Sequence, residues 1–381
     1  MSTMERILRL MADKKASDVY LSAHSPALIK INGQALPINS QVLPADAPLI
    51  LLAEVLPPDR IEELKELGEL NMALPMEGVG NFRISGFKQR GTVAAVIRFI
   101  PSEIPPLETL NVPPILADLI MEKRGLLLLV GATGSGKSTT IASMLDHRNE
   151  LRAGHILTLE DPIEYLFKNK KSIVNQREIG SDAASFQVAL RNSMRQAPDC
   201  ILIGEIRDKE TMAAALAYAQ SGHLVLATLH ANNSYNALNR IISFYPIENR
   251  AALLQDLSSA VKAIVSQRLV RSAAGGTRQA AVEIMVNTRY VSDLIEKGEI
   301  GQIKEAMDKS LSPGSQSFET ALLELVQSGL VTQDEALANA DSATNLLWLL
   351  NNGPDSKAAG AAPEHKPADD APTFTEFTLN S

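Results

Sequence analysis

The chain has 381 residues, 45% of them hydrophobic, and a formal net charge of -8 at pH 7. That length allows two or three domains with large cores. The acidic balance disfavours contact with a phosphate backbone, so we expect no nucleic acid partner. The single cysteine, Cys200, excludes an internal disulfide and lies in an apolar run, which predicts a packed strand residue.

The first twelve residues carry Glu5 and have no long apolar segment, which argues against a signal peptide. The spacing of Ile7, Leu8, Leu10 and Met11 predicts a short helix instead. No apolar run approaches the ~20 residues that cross a bilayer. We therefore expect a soluble, cytoplasmic protein without direct membrane insertion.

Residues 1–100 are predicted to form an α+β domain. Turn signals and alternating apolar residues predict two hairpins and an intervening helix: residues 28–36 around Asn32 and Gly33, residues 81–87 and 92–100 joined by 88–91, and helix 59–67. Five prolines then fall within residues 101–114. Proline removes backbone donors and favours extended chain, so this segment is predicted to be an interdomain linker.

The pattern changes after the linker to short apolar strands that alternate with helices. The predicted strands are 126–130, 155–159, 200–203 and 224–228, and the predicted helices include 139–145, 185–196 and 209–220. This alternation predicts a mainly parallel sheet with helices on both faces over residues 115–289.

Amphipathic helices such as 318–326 predict a small helical subdomain over residues 290–352. Residues 353–381 are rich in Ala, Pro, Asp and Lys, which predicts a disordered tail. Phe374, Phe377 and Leu379 near its end leave a short docking motif as an alternative to a mobile tail.

A nine-residue glycine-rich loop follows the apolar run 126–130. Its residues are Gly131, Ala132, Thr133, Gly134, Ser135, Gly136, Lys137, Ser138 and Thr139, a complete Walker A sequence between a strand and a helix. Glycines let backbone N–H groups curl around a triphosphate, and Lys137 places a positive charge against the outer phosphates. Because the Ser138 hydroxyl can ligate Mg²⁺, we expect ATP and Mg²⁺ as cofactors.

Carboxylates follow two of the predicted strands. Glu160, Asp161 and Glu164 follow the first, and Glu205 follows the second in the position of a Walker B acid. Either group could hold Mg²⁺ through water or orient the water that attacks the γ-phosphate.

Two histidines, His223 and His230, stand at the two ends of one apolar strand. A histidine there can sense or donate to the γ-phosphate, and a structural, hydrogen-bonded pair is the alternative.

The order of these motifs, GATGSGKST, TLEDPIEYLF, ILIGEIRD and SGHLVLATLHANN, resembles the secretion and type IV pilus ATPases, and most of all the PilT/PilU pilus retraction family. The resemblance extends to about Asn351 and includes residues 16–21, 174–178 and 264–269. It implies a PAS-like N-terminal domain joined to a RecA-like P-loop ATPase core. It also implies a homo-hexamer that acts on an inner-membrane pilus platform protein and lies peripheral to that membrane through the pilus machinery.

Residue roles follow from the same resemblance. It implies Glu164 as the water-activating base and Glu205 as the Walker B acid on the Mg²⁺ side, and it makes His223 and His230 the His-box pair. Arg83, Arg90 and Arg98 fall where relatives donate charge-neutralising arginines to the nucleotide. Each of the three can equally cap a sheet edge or pair with a surface acid.

One departure from the family pattern concerns the C-terminal region. PilT-type members carry an Ala-Ile-Arg-Asn motif needed for retraction, whereas the matching positions here are Tyr290, Val291, Ser292 and Asp293. This resembles the PilU branch, which implies a hexameric ATPase that powers or assists pilus retraction, with a PilT-type ATPase as partner. The alternatives are an accessory or regulatory nucleotide-binding subunit, a pilus-extension or type II secretion ATPase, and a DNA translocase. The extension and secretion relatives usually carry a Cys-x-x-Cys module that one cysteine cannot form.

Overall fold

The computed structural model describes residues 1–31, 33–100, 103–309 and 313–352. The predicted tail at 353–381, with its alternative docking motif, lies outside the described residues, as do Asn32 of the predicted hairpin turn and Pro101 of the predicted linker. Among the described helices, none is long and apolar enough to cross a membrane.

The N-terminal part is an α+β unit built on an antiparallel sheet. Its elements are α1 (Thr3–Asp13), β1 (Asp18–Ser22), β2 (Pro26–Ile31), β3 (Gln34–Val42), α2 (Ala47–Ala53), α3 (Pro58–Leu67), β4 (Glu69–Met76), β5 (Gly80–Gln89) and β6 (Thr92–Ile100). The strand order is β3-β2-β1-β6-β5-β4. Leu8, Leu52 and Leu64, one from each helix, pack in a single core with Ile84 and Ile97 of the sheet.

Both predicted hairpins and the intervening helix are present. The turn between β5 and β6 is shorter than expected, since only Arg90 and Gly91 separate the strands, with φ of 45° and 79°. Those angles suit the right-handed strand twist of a two-residue hairpin. Strand β4 was not predicted: it is an edge strand in which every second residue is exposed and only Leu70 is buried, and Pro75 within it breaks the sequence signal.

The second sheet forms the centre of the molecule. The elements that build it are α4 (Ile115–Ile120), β7 (Gly125–Val130), α5 (Lys137–Leu151), β8 (Gly154–Glu160), β9 (Ser172–Glu178), α6 (Phe186–Ser193), β10 (Cys200–Ile203), α7 (Lys209–Gln220), β11 (Leu224–Leu229), α8 (Ser234–Ser243), α9 (Arg250–Ala260), β12 (Val261–Arg271) and β13 (Arg278–Val286). The order is β13-β12-β7-β11-β10-β8-β9, parallel except for β13. Alternate residues of β7 enter cores on the two faces: Leu126 and Leu128 on one, Leu127 and Leu129 on the other.

The predicted mainly parallel sheet with helices on both faces is thus confirmed. Strand β12 escaped prediction because Lys262, Gln267 and Arg268 interrupt its apolar residues, although most of the strand is buried. Cys200 is fully buried in β10, and burial raises the pKa of its thiol to about 12.

The C-terminal part is helical, as expected. Its helices are α10 (Arg289–Lys297), α11 (Ile303–Asp308), α12 (Phe318–Gln327), α13 (Gln333–Asn339) and α14 (Ala343–Asn352). Helices α10 and α11 share a core with the central sheet, whereas α12 to α14 form their own cluster against Val270 and Ala281. Arg268 of β12 joins the central sheet to this cluster, because its guanidinium lies 3.9 Å from the Phe318 ring centroid and pairs with Asp341.

The described part of the predicted linker packs against the central unit. Leu107, in a short 3₁₀ turn, is buried in the core beneath α5, and the Ser143 hydroxyl of α5 donates to the Pro105 carbonyl at 2.6 Å. This proline-rich segment is therefore held to the phosphate-loop helix. The domain boundaries themselves stay a prediction.

A buried arginine offers a test of the packing around α4 and α5. Arg148 is 2% exposed and donates to the carbonyls of Ile120 and Glu122 at 2.6 and 3.1 Å. We expect Arg148→Met to destabilise the core by about 2–3 kcal/mol, because the buried Ile120 carbonyl and the partly buried Glu122 carbonyl lose a charged donor. Thermal unfolding followed by circular dichroism should show a melting temperature roughly 3–6 °C lower.

The matched control is Arg124→Met at an exposed position nearby. We expect it to change stability by no more than about 0.5 kcal/mol. Equal shifts in the two variants would contradict a special role for Arg148.

Candidate nucleotide-binding site

The parallel strands deliver their carboxyl ends to one edge of the central sheet. The register pairs Val130 with Leu229, Ala227 with Ile203, and Ile203 with Leu159 across four neighbouring strands. A cavity of about 630 Å³ opens at this edge. In open parallel sheets, ligands bind outside the carboxyl ends of the strands.

Three glycines shape the loop between β7 and α5. Gly134 and Gly136 have φ of 79° and 88°, a left-handed conformation that side chains rarely adopt. Gly131 is required by space, since a Cβ there would lie 2.5 Å from the Gln267 carbonyl oxygen. Helix α5 starts at Lys137, so its free N–H groups point toward the cavity and favour an anion.

The Lys137 side chain folds back onto its own loop. Its Nζ donates to the carbonyls of Gly131 and Ala132 at 2.8 and 2.9 Å. Burial lowers the pKa of Lys137, and the charge of Glu205 opposes that shift. The ammonium group is therefore held at the loop with neutral acceptors, which an anionic phosphate can replace.

Glu205 lies at the end of β10 within a small charge network. Its carboxylate contacts Arg207 Nε at 2.6 Å and His230 Nε2 at 3.2 Å. Arg207 Nη1 reaches Asp161 at 3.5 Å. Glu205, His230 and Ser138 all line the cavity, so the expected Walker B acid, the second histidine and the loop hydroxyl meet at one place.

The acidic segment at the end of β8 contains one buried and one exposed glutamate. Glu160 is 8% exposed, and burial raises its pKa, while hydrogen bonds from Thr158 at 2.7 Å and Gln176 at 3.1 Å lower it. Glu164 is exposed and lines the cavity. An open carboxylate can take a proton from water, whereas Glu160 is engaged with its neighbours.

One arginine from the N-terminal unit reaches the cavity. Arg98 lines it, and its Nε donates to the buried Asp18 carboxylate at 2.9 Å, which raises the Arg98 pKa. Arg83 is the direct cross-strand partner of Arg98 but is not part of the cavity lining. Arg90 lies in the turn at the opposite end of β6, eight residues away from Arg98.

Two of the expected nucleotide contacts need correction. His223 precedes β11 and pairs with Gly125 at the start of β7, at the edge opposite the phosphate loop. A six-residue strand spans about 20 Å, so His223 cannot touch a nucleotide held by its own chain. Arg90 is likewise separated from the cavity of its own chain by the length of β6.

Sequence reasoning also missed residues that line the cavity. Tyr165 lines it and its hydroxyl meets Thr139 Oγ1 at 2.8 Å, which ties the acidic segment to α5. Leu269 and Arg278 reach the other flank of the loop from β12 and β13. Leu269 and Arg278 were missed because they lie on strands that the sequence did not predict. Tyr165, in contrast, is part of the acidic motif and could have been proposed.

The chain is similar in sequence to proteins of one known family. The family model for type II/IV secretion system proteins matches residues 5–324. The type IV pilus ATPase PilU of Pseudomonas aeruginosa is 45% identical over 354 residues, which cover 93% of each chain. The type IV pilus retraction ATPase PilT of the same organism is 37% identical over 339 residues, covering 89% of this chain and 98% of PilT.

A solved structure of the pilus retraction motor PilT with bound ADP superposes with a TM-score of 0.83. Its sequence is 38% identical, and the match covers 90% of this chain and 98% of that one. Fold and site together define a nucleotide-binding P-loop ATPase with an N-terminal α+β domain. The chain belongs to the type II/IV secretion system protein family and, within it, to the PilT/PilU ATPases.

The two histidines form a matched pair for a binding test. We expect His230→Ala to weaken binding of a non-hydrolysable ATP analogue about tenfold, the cost of one hydrogen bond to a charged group. His223→Ala should leave the Kd within about twofold, because its side chain bonds to Ser221 and the Tyr218 carbonyl far from the loop. Titration calorimetry on both variants decides the matter, and the reverse order of effects would contradict the assignment.

Proposed function

We propose that this chain is a motor ATPase that powers or assists type IV pilus retraction and hence twitching motility. The observation that carries the proposal is one cavity in which the Walker A loop meets Glu164, Glu205 and His230. That site lies in a chain similar to PilU and PilT over nearly their whole length.

In the proposed reaction, Lys137 leaves the carbonyls of Gly131 and Ala132 and binds the outer phosphates of ATP. Glu164 orients the attacking water and accepts its proton. His230, which lines the same cavity, would donate to the γ-phosphate. The N–H groups at the start of α5 bind the remaining phosphate oxygens.

The donor set also fits Mg²⁺, which prefers oxygen ligands and is usually bound by one or two protein groups together with phosphates. The Ser138 hydroxyl would bind it directly and Glu205 through water. When bound with ATP, Mg²⁺ would neutralise charge on the phosphate oxygens.

Arg98 connects nucleotide state to movement in this proposal. It extends from the N-terminal sheet to the cavity, so a bound triphosphate would attract the N-terminal domain toward the ATPase core. Arg83, on the same face of the sheet, would add to that attraction. Hydrolysis and phosphate release would then relax the contact.

The proposed working form is a homo-hexamer on the cytoplasmic side of the inner membrane. It would act there through the pilus platform protein and beside a PilT-type ATPase, as the family resemblance implies. An accessory role is favoured by Ser292, which stands where PilT-type members carry an arginine. Its hydroxyl donates to the Ser258 carbonyl at 3.0 Å and so caps a neighbouring helix without supplying charge.

ATP turnover of the purified chain tests the function. We expect Mg²⁺-dependent hydrolysis that falls about 100-fold or more in both variants, because Glu164→Gln removes the base that activates water and Glu205→Ala removes the acid on the Mg²⁺ side. Glu210→Ala is the matched control, since Glu210 is an exposed acid in the first turn of α7 and does not line the cavity. It should keep wild-type turnover.

The assay is run with the chain alone and with a PilT-type partner. Glu205-dependent hydrolysis by the chain alone indicates a competent motor subunit. Hydrolysis that appears only with the partner indicates the accessory role. No hydrolysis in either condition would contradict the proposal and favour a regulatory nucleotide-binding subunit.

A further inference from the structure

The segment that carries Glu164 has no regular structure of its own. Residues 161–171 connect β8 to β9 without a helix or strand. Backbone groups in such a segment need hydrogen-bond partners from elsewhere, or their positions drift. The location of the Glu164 carboxylate therefore depends on whatever holds this segment.

Side chains of β9 hold it on both sides of Glu164. The Glu178 carboxylate accepts the Ile163 N–H at 3.1 Å. The Gln176 Oε1 atom accepts the Phe167 N–H at 2.9 Å. These residues were part of the motif 174–178, to which no function has been given so far.

The Gln176 amide makes two further bonds through its nitrogen. Nε2 donates to the Tyr165 carbonyl at 2.8 Å and to Glu160 Oε1 at 3.1 Å. Turning the amide over would set its nitrogen against the Phe167 N–H and its oxygen against two acceptors. One orientation alone satisfies all three contacts.

Glu160 completes the support from β8. Its carboxylate also accepts the Thr158 hydroxyl at 2.7 Å, and the backbone N–H of Glu164 points at it and lowers its pKa. Thr158 and Glu160 are the direct neighbours of Gln176 and Glu178 in the β8–β9 register. A row of polar side chains on the buried strand β8 and the half-exposed edge strand β9 thus lies beneath the segment.

We propose that Gln176 is a positioning residue for hydrolysis, which sets the Glu164 carboxylate against the γ-phosphate by fixing the Tyr165 and Phe167 peptide groups beside it. The inference rests on the proposed role of Glu164 as the base. The contact of the Tyr165 hydroxyl with Thr139 Oγ1 also connects this segment to the phosphate loop. Gln176 itself does not line the cavity, so it acts only through the segment.

The test is Gln176→Leu, which keeps the approximate side-chain volume and removes three hydrogen bonds. We expect turnover to fall about 10–100-fold, because a displacement near 1 Å is enough for such a loss. The Kd for ADP should stay within about twofold, since the Walker A loop keeps its contacts. Turnover is measured under whichever condition, alone or with the PilT-type partner, gives Glu205-dependent hydrolysis.

Asn175→Ala is the matched control on the same strand. Asn175 alternates to the other face of β9, where its Oδ1 meets His155 Nε2 at 2.9 Å. We expect turnover and ADP affinity like those of the wild type. Equal losses in Asn175→Ala and Gln176→Leu would overturn the proposal, because disturbance of the strand would then explain both.

A double variant separates positioning from general disturbance. In a Glu164→Gln background, Gln176→Leu should lower turnover less than twofold further, because the group that it positions is already gone. A full additional loss would overturn the inference. Where Gln176→Leu fails to fold, Gln176→Glu serves in the same comparisons, since it keeps the acceptor for Phe167 and loses the donor to Tyr165.

The same set distinguishes failure of the inference from failure of the proposed function. Wild-type turnover in Glu164→Gln would remove the base assignment, and the inference with it. Slow Glu164→Gln beside wild-type turnover in Gln176→Leu would overturn the positioning role alone.

Discussion

The parallel alignment of β7, β11, β10 and β8 is the constraint on which the rest of the structure depends. Because these strands run in one direction, the phosphate loop, His230, Glu205 and Glu164 all come to the same edge of the sheet. Buried apolar residues on both faces of β7 hold that alignment, with Leu126 and Leu127 entering opposite cores. The site is thus a consequence of how two hydrophobic cores are separated by one sheet.

Charged groups at this edge are held by neighbouring side chains and backbone carbonyls where a nucleotide would bind. Lys137 lies on its own loop carbonyls, and Glu205 pairs with Arg207 and His230. Such contacts keep partly buried charges satisfied, since an unpaired buried charge is costly. Phosphates bound at the loop offer Lys137 a stronger partner than neutral carbonyls. Exchange of these partners would link binding to movement of the segments that carry them.

Much of this architecture could be predicted from the sequence because its signals are local. The Walker A loop, the four buried strands and helix α7 follow from apolar runs and turn residues in immediate succession. Strands β9, β12 and β13 lack a continuous apolar run, because they carry polar side chains, such as Gln176 and Gln267, that form hydrogen bonds with other elements of the fold. Their partners lie in other segments: Phe167 in the irregular connection before β9, and Thr140, 127 residues away from Gln267, in α5.

The site was predicted less completely than the fold, for a related reason. The sequence already put His223 and His230 at the two ends of one strand, but the family motif assigned both to the nucleotide, and a strand of six residues keeps them at opposite edges of the sheet. The acidic motif likewise contains a buried carboxylate, Glu160, and an exposed one, Glu164, and the sequence does not show which of them is buried. Leu269 and Arg278 came to the loop through a pairing of strands that no local pattern indicated.

The most direct test of the central claim is the position of the γ-phosphate in a crystal structure with Mg²⁺ and a non-hydrolysable ATP analogue. The account predicts that Lys137 Nζ leaves the carbonyls of Gly131 and Ala132 for the phosphates. It also predicts that the γ-phosphate lies between Glu164, Glu205 and His230. A γ-phosphate turned toward Arg278 of β13, with Lys137 still on its loop carbonyls, would contradict it.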